Sequence, residues 1–319
     1  CNDCKFDRCP WRAIDSALLI VKYVARISGV LVVSVQDLQF LDCLLWFGKG
    51  DIASQRLNIS SSTISRVSRR VASEFGLELI KGEGEWRLFG DQSYINAERL
   101  LHQRLRLDFG HPLRFDTQFT YSGAFSPFIQ GKYLLGASSF LDISKPIQLV
   151  RLGIVDAWIG GFPDLPSPQD PDLLCIHLTR HPLRLVVHEK HPLALLGDRV
   201  TLDDVVQYPS IALKDGALPQ TQRRLQSLGL WNSQVTVRRF VKQEVMGLTS
   251  DQLVVGYASS FTIKFYDDPM VFLPVDLKHC VGQTLVIRRD YEGHPRIQAL
   301  LSSLKEACRA FVREYPEVS

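Results

Sequence analysis

Between Gln36 and Gly76 apolar residues recur every three or four positions in short blocks, the period of helices that bury one stripe. Leu38, Leu41 and Leu45, with Phe40 and Leu44 beside them, predict a first helix over 37–47, which Gly48 to Gly50 stop. Asp51 is the expected N-cap of a short second helix ending at Leu57, and Asn58 with Ile59 forms the turn into a third. In that third segment Ile64, Val67, Val71 and Phe75 share one face, and Ser60 to Ser62 can accept the orphan N–H groups of a helix start. Two helices joined by a short turn read as a helix-turn-helix.

The pattern then changes period. In LELIKGEGEWRLFG, Gly82 and Gly84 separate two short apolar strands, the form of a β-hairpin wing with Lys81 and Arg87 flanking its tip. From Gln92 to Phe109 there is neither Pro nor Gly, and Tyr94, Ala97, Leu101 and Leu105 fall at helical spacing. This long helix would either cover the next domain or pair with its twin in a dimer. Gly110 and Pro112 end it.

Beyond Leu113 short β-branched or aromatic runs alternate with helical stretches, the signature of α/β units. RFDTQFTY, an apolar helix near Phe125 to Leu135, SSFLD, the helix KPIQLVRLG and AWIGG make a first unit. RLVVHE, a capped helix at TLDDVV, SIAL, a helix from Pro219 to Leu228, QVTVRRF, a helix near Glu244 to Thr249 and QLVVGYA make a second. TLVIRR and a C-terminal helix over about 294–313 return to the first, so two chain crossings form a hinge.

Composition narrows the class. With 319 residues, 45% of them hydrophobic, the chain can bury sizeable cores and divides into two or three domains. A net charge of +3 is too small for a polycation, so any nucleic-acid site must be a local patch. The apolar run Ala17 to Val35 is interrupted by Lys22 and Arg26, which argues against a membrane span. Seven cysteines, an odd number, scattered along the chain argue against a disulfide framework and favour a reducing cytoplasm. Cys1, Cys4 and Cys9 cluster, but no fourth Cys or His follows closely to complete a zinc site. Residues 1–34 are expected to be an N-terminal extension outside the functional fold, disordered or not native to it.

That patch is present. Between Ile52 and Ser73 lie Arg56, Arg66, Arg69 and Arg70 and no acidic residue, so the outer face of the third helix is cationic and rich in hydroxyls, as a groove-reading helix requires. The same arginines would suit a solvated surface helix; their place between a capped turn and a wing favours DNA. Ser60, Ser61, Ser62 and Thr63 at the helix start offer N–H groups and hydroxyls to phosphates or base edges. Arg66, one turn in and opposite Ile64 and Val67, is the expected direct reader, since a guanidinium can bridge guanine O6 and N7. Arg69 and Arg70 are expected on phosphates, with Lys81 and Arg87 reaching from the wing.

This order of parts resembles the LysR-type transcriptional regulators. GKGDIASQRLNISSSTISRVSRR resembles the family's second helix, turn and recognition helix. QLVRLGIVDAWIGG is similar to its leucine, glycine and aspartate signature at Leu152, Gly153 and Asp156, and HPLRLVVHEKHPLA with VTLDDVVQYPSIAL is similar to the start of the second lobe. The match runs from about Gln36 to Phe311. The sequence departs from the family at Ser61, where glutamine is usual, at Ala72, where glutamate is usual, and across the wing. The stretch from Leu113 to Ile159 is also shorter than the family's.

The resemblance implies a winged helix-turn-helix domain over 35–90, a linker helix over 91–110, and an α/β effector domain of two Rossmann-like lobes, built like a periplasmic binding protein. The lobes would be 111–183 with 281–319, and 184–280. It implies double-stranded promoter DNA, a small-molecule effector and a second copy of the chain, in a homodimer or homotetramer, as partners, with no cofactor and no membrane. The effector would lie between the lobes. Tyr121, Ser122 and Gly123 end a strand and open a helix that presents donors to an anionic or polar ligand. Ser138, Ser139, Phe162, Leu213, Lys214 and Tyr257 are placed there by the same strand-end logic.

His177, His181, His188 and His191 follow strand and turn rather than one helical face, so a structural role is expected rather than zinc. No nucleophile elbow, phosphate loop or zinc-protease motif occurs, which leaves catalysis without a constellation. The rival to a DNA-binding regulator is a solute-binding-like sensor whose degenerate head meets a protein partner instead.

Overall fold

The computed structural model describes residues 33–82, 84–121, 125, 128–129, 133–234, 239–240, 245, 253–260, 262–263 and 266–319. Cys1, Cys4 and Cys9, Ser122 and Gly123, and most of the helix expected near Glu244 to Thr249 lie outside these residues.

The head begins with α1 (Val35–Phe47), capped by Ser34, whose hydroxyl accepts the Asp37 N–H at 3.0 Å. Val33 packs in the core beneath it, so Val33 and Ser34, grouped by the sequence pattern with the extension, belong to the fold. Helix α2 (Gly50–Leu57) starts two residues earlier than an Asp51 cap would place it. Lys49 occupies the cap position without a side-chain bond, leaving Asp51 in the first turn, where its charge favours the helix dipole. Asn58 closes α2 in the left-handed conformation, φ 53°, a region Asn tolerates. Helix α3 (Ser61–Glu74) follows, capped by the Ser60 hydroxyl, and buries Ile64, Val67 and Val71. Strands β1 (Glu78–Gly82) and β2 (Glu85–Phe89) form the antiparallel wing, with Lys81 opposite Trp86 and Ile80 opposite Arg87. Helix α4 (Ser93–Asp108) then leads from the wing to the first lobe.

The first lobe is built on one sheet. Strands β3 (Leu113–Thr117), β4 (Tyr133–Leu135), β5 (Ala157–Phe162), β6 (Leu173–His177), β7 (His181–Pro182) and β13 (Cys280–Arg288) belong to it, in the order β4-β3-β5-β13-β6 with β7 beside β13. β3 runs parallel to β4 and β5, whereas β13 runs antiparallel to β5 and β6. Residues 133–135, expected to end a helix, are strand β4, and SSFLD has no strand beyond a single bridge between Phe140 and Arg239. Helix α5 (Ser144–Arg151) precedes β5.

The second lobe follows, with β8 (Arg184–His188), the short helices α6 (Pro192–Leu196) and α7 (Leu202–Val205), β9 (Ile211–Ala212), α8 (Pro219–Gln226), β10 (Ser233–Gln234), β11 (Gly256–Ala258) and β12 (Met270–Phe272). β8 lies between β11 and β12. Thr201 and Asp204 form a reciprocal capping box on α7. The chain returns through β13 to α9 (Pro295–Glu314), which packs on the first sheet.

The sheet of the first lobe has two differently made faces. Ala157, Ile159, Leu285 and Ile287 face a core that includes Leu300, Leu301 and Leu304 of α9. Trp158, Val286 and Leu173 face a core that includes α5 and the head itself, with Leu38, Leu41, Leu45 and Trp46 of α1 in the same cluster. The head thus serves as a layer of the lobe, with α1 covering this face of the sheet.

A buried polar seam runs along that junction. Asp42 of α1 accepts from Arg99 Nε of α4 at 2.8 Å and from Arg114 Nη1 of β3 at 3.0 Å. Arg106 of α4 holds Asp156 through Nε and Nη2, at 3.1 and 2.9 Å, and donates to the Gly153 carbonyl at 2.6 Å. Asp156 also accepts the Arg114 N–H at 2.8 Å. The leucine, glycine and aspartate signature therefore fastens α4 to the lobe: Gly153 turns the chain at φ 68°, close against Gln103, and Asp156 anchors Arg106.

Candidate nucleic-acid interface and inter-lobe cavity

At the start of α3 the Ser60 hydroxyl accepts the Thr63 N–H at 3.3 Å and donates to Thr63 Oγ1 at 2.8 Å. Ser61 and Ser62 are exposed, and Thr63 is half-buried. Arg66 is exposed and makes no hydrogen bond or ion pair among the described residues. Arg69 lies over the Trp86 ring at 5.6 Å and Lys81 over the same ring at 5.9 Å. Trp86, buried in the wing, thus draws the cations of the recognition helix and the wing onto one face, and the cation–π geometry holds both without neutralising either charge. Arg70 differs: its Nη2 is 2.8 Å from Asp37 and its Nε 3.6 Å from Glu74, so the head's own carboxylates partly occupy it. Arg87 is exposed on β2.

A cavity of about 140 Å³ lies between the lobes. Tyr121, Phe162, Leu213 and Tyr257 line it. Ser138, Ser139 and Lys214 do not. Ser138 instead donates from its N–H to Asp116 at 3.0 Å, at a left-handed φ of 46°. Ser139 accepts from Arg239 Nη1 at 3.0 Å, and Lys214 is exposed. Arg239 ties three parts together: Nε binds Glu85 of the wing at 2.6 Å, Nη2 reaches the Trp46 carbonyl at 3.4 Å, and the guanidinium stacks on Phe140 at 4.2 Å.

Sequence reasoning missed Gln118, Asp164, His181, Thr221 and Trp231 in this cavity. Asp164 is buried and accepts the Gln220 and Thr221 N–H groups at 2.6 and 3.2 Å, capping the start of α8. His181 is held neutral, its pKa pushed down to about 4 by burial. The other histidines serve locally: His191 accepts the Leu193 N–H at 3.0 Å, and His188 the Lys190 N–H at 3.1 Å. Among the described residues no group of three or more His, Cys, Asp or Glu could hold a metal ion, and no helix is long and apolar enough to cross a membrane.

The parts define a winged helix-turn-helix head carried on a two-lobed α/β binding domain with a cavity at the lobe junction. The family model for the LysR substrate binding domain matches residues 141–309, and the chain belongs to the LysR-type family. No curated protein sequence matches it. Among solved structures, a full-length cysteine-to-aspartate variant of OxyR from Pseudomonas aeruginosa aligns at 15% identity over 88% of this chain and 95% of that one, with a TM-score of 0.53. A hydrogen-peroxide-bound OxyR variant from Corynebacterium glutamicum aligns at 14% identity over 89% and 96%, TM-score 0.49. Full-length CbnR in complex with its target DNA aligns at 15% identity over 87% and 99%, TM-score 0.48. At these identities the P. aeruginosa likeness speaks to the fold, which it shares from head to C-terminal helix.

Proposed function

We propose that the chain is a sequence-specific DNA-binding transcriptional regulator, working in the cytoplasm as a homo-oligomer and modulated by a small molecule bound between its lobes. The observation that carries the reading is the joined cationic face of α3 and the wing, with Arg66 exposed and Arg69 and Lys81 gathered on Trp86. Membership of the LysR-type family supports it. In this reading Ser60 to Thr63 and Arg69 take phosphates, Arg66 reads a base edge, and Lys81 and Arg87 add phosphate contacts. Arg70, shared with Asp37 and Glu74, contributes less than its neighbours.

The test is fluorescence anisotropy on DNA fragments selected from the genome. Arg66→Ala is expected to weaken the selected site by about 1–3 kcal/mol and to relax preference at one base position. Affinity should fall steeply with salt as counterions are released. Equal binding of selected and scrambled fragments would favour the rival, a sensor whose head meets protein.

Self-association is proposed through α4. Tyr94 in its first turn and Phe109 just past its end are 75% and 72% exposed, and Ala97, Leu101 and Leu105 continue the stripe between them at helical spacing. Leu101→Glu is expected to shift the sedimentation coefficient to that of a monomer while leaving the far-ultraviolet circular dichroism unchanged. An unaltered oligomer would remove α4 from the interface.

A further inference from the structure

Of the two ligand classes that a strand end opening a helix leads one to expect, anionic or polar, the chemistry of the inter-lobe cavity favours the polar one. This inference rests on the reading of that cavity as the effector site and specifies what it takes. Its lining is dominated by Phe119, Tyr121, Phe162, Leu213, Trp231 and Tyr257, and among the described lining residues none is Lys or Arg. The nearby Arg180 stacks on Phe162 at 3.6 Å, with its donors placed on the Thr179 carbonyl and His177 Nδ1. The α8 N–H groups that could hold a ligand carboxylate are already taken by Asp164, and an incoming anion would meet that carboxylate. Two lining side chains more than nine-tenths buried each keep an unmatched polar atom: Trp231 Nε1, a donor, and Gln118 Oε1, an acceptor. Buried polar atoms without partners are costly, and a ligand that satisfies them gains directional binding. The volume is close to that of an engineered apolar cavity of about 150 Å³ that takes benzene.

We propose that the effector is an uncharged single-ring molecule carrying one hydrogen-bond acceptor for Trp231 Nε1 and one donor for Gln118 Oε1. A neutral amide or hydroxyl on an aromatic or similarly flat apolar body meets both requirements. The apolar walls bind the ring, and the two buried polar atoms select its substituent.

Three ligands of one shape separate the possibilities: benzamide, benzoate and benzylamine, with toluene as the purely apolar control. Calorimetry on the full chain at pH 7 is expected to give benzamide at least about tenfold tighter than benzoate and benzylamine. Trp231→Phe and Gln118→Leu should each weaken benzamide by about two- to tenfold and leave toluene unchanged; a merely structural loss would weaken both. Leu218→Trp, filling the cavity, should abolish all of it. Benzoate or benzylamine binding as tightly as benzamide, and blocked by Leu218→Trp, would overturn the neutral class while leaving the effector site standing. Benzamide binding untouched by either Trp231→Phe or Gln118→Leu would overturn it as well. No binding by any of the four ligands would overturn the neutral class and the effector site together.

Discussion

Asp42→Ala is expected to destabilise the protein by about 3–5 kcal/mol, because it strands two buried guanidiniums at once. Arg99 and Arg114 both donate to Asp42, at 2.8 and 3.0 Å, and all three side chains are at most 3% exposed. Burial pushes the Asp42 carboxyl upward, but the charges of Arg99 and Arg114 and their hydrogen bonds outweigh it and hold the group below the usual carboxylate range. The sign of the pH dependence follows. Asp42 contributes stability above the unfolded carboxylate value of about 3.9, and that contribution is lost as pH falls through the depressed folded value. Urea unfolding of wild type and Asp42→Ala checks both. The gap between them should be wide at pH 7 and narrow on strong acidification, and a gap under about 1 kcal/mol at pH 7 would mean that the pair is not the junction's anchor. Asp42→Asn keeps the shape and should fall between the two.

The effect reaches beyond α1 because Asp42 joins three elements that the sequence presents as separate parts. The 3.6-residue period made α1, α3, α4 and α9 legible, since each carries a continuous apolar face. Turn chemistry was legible where the side chain itself caps, at Ser60 and Thr201, and where Asn58 tolerates the left-handed turn that closes α2. It misled at Asp51, where the cap falls two residues earlier, at Lys49. Short apolar runs were not decidable by period: YLL reads equally as the end of a helix, and only pairing with β3 makes it β4. β12, between two prolines in PMVFLP, gave no alternation at all.

The head's docking on the first lobe had no local signal. Arg99 and Arg106 look like the polar face of a surface helix until Asp42 and Asp156, 57 and 50 residues away in sequence, are brought against them. The cavity was legible only at its strand ends. Tyr121, Phe162, Leu213 and Tyr257 follow from that rule, whereas Trp231 and Asp164 sit at turns whose direction depends on the assembled lobes. Ser138 and Ser139 satisfy the same strand-end rule, yet their hydroxyls are turned to Thr117, Asp116 and Arg239 at the head junction.

Trp46→Ala is expected to cost about 3–5 kcal/mol and to change how the protein unfolds. Trp46 is 1% exposed, stacks on Phe47 with ring centroids 4.6 Å apart, and donates from Nε1 to Asp116 Oδ2 at 2.6 Å across the junction. Asp116 Oδ1 takes the N–H groups of Thr117 and Ser138, so Trp46 is what answers the other oxygen. Trp46→Phe keeps the ring and removes that donor, which should cost about 1–3 kcal/mol for the unmatched acceptor. The difference between the two substitutions separates packing from polar matching. In the wild type, head and lobe share one core, so a fluorophore on the wing and hydrogen exchange in β5 should report a single coincident transition. In Trp46→Ala the head should melt ahead of the lobe, because β5 and β13 retain α9 on their other face while α1 loses its anchor. Separate transitions already present in the wild type would refute a shared core.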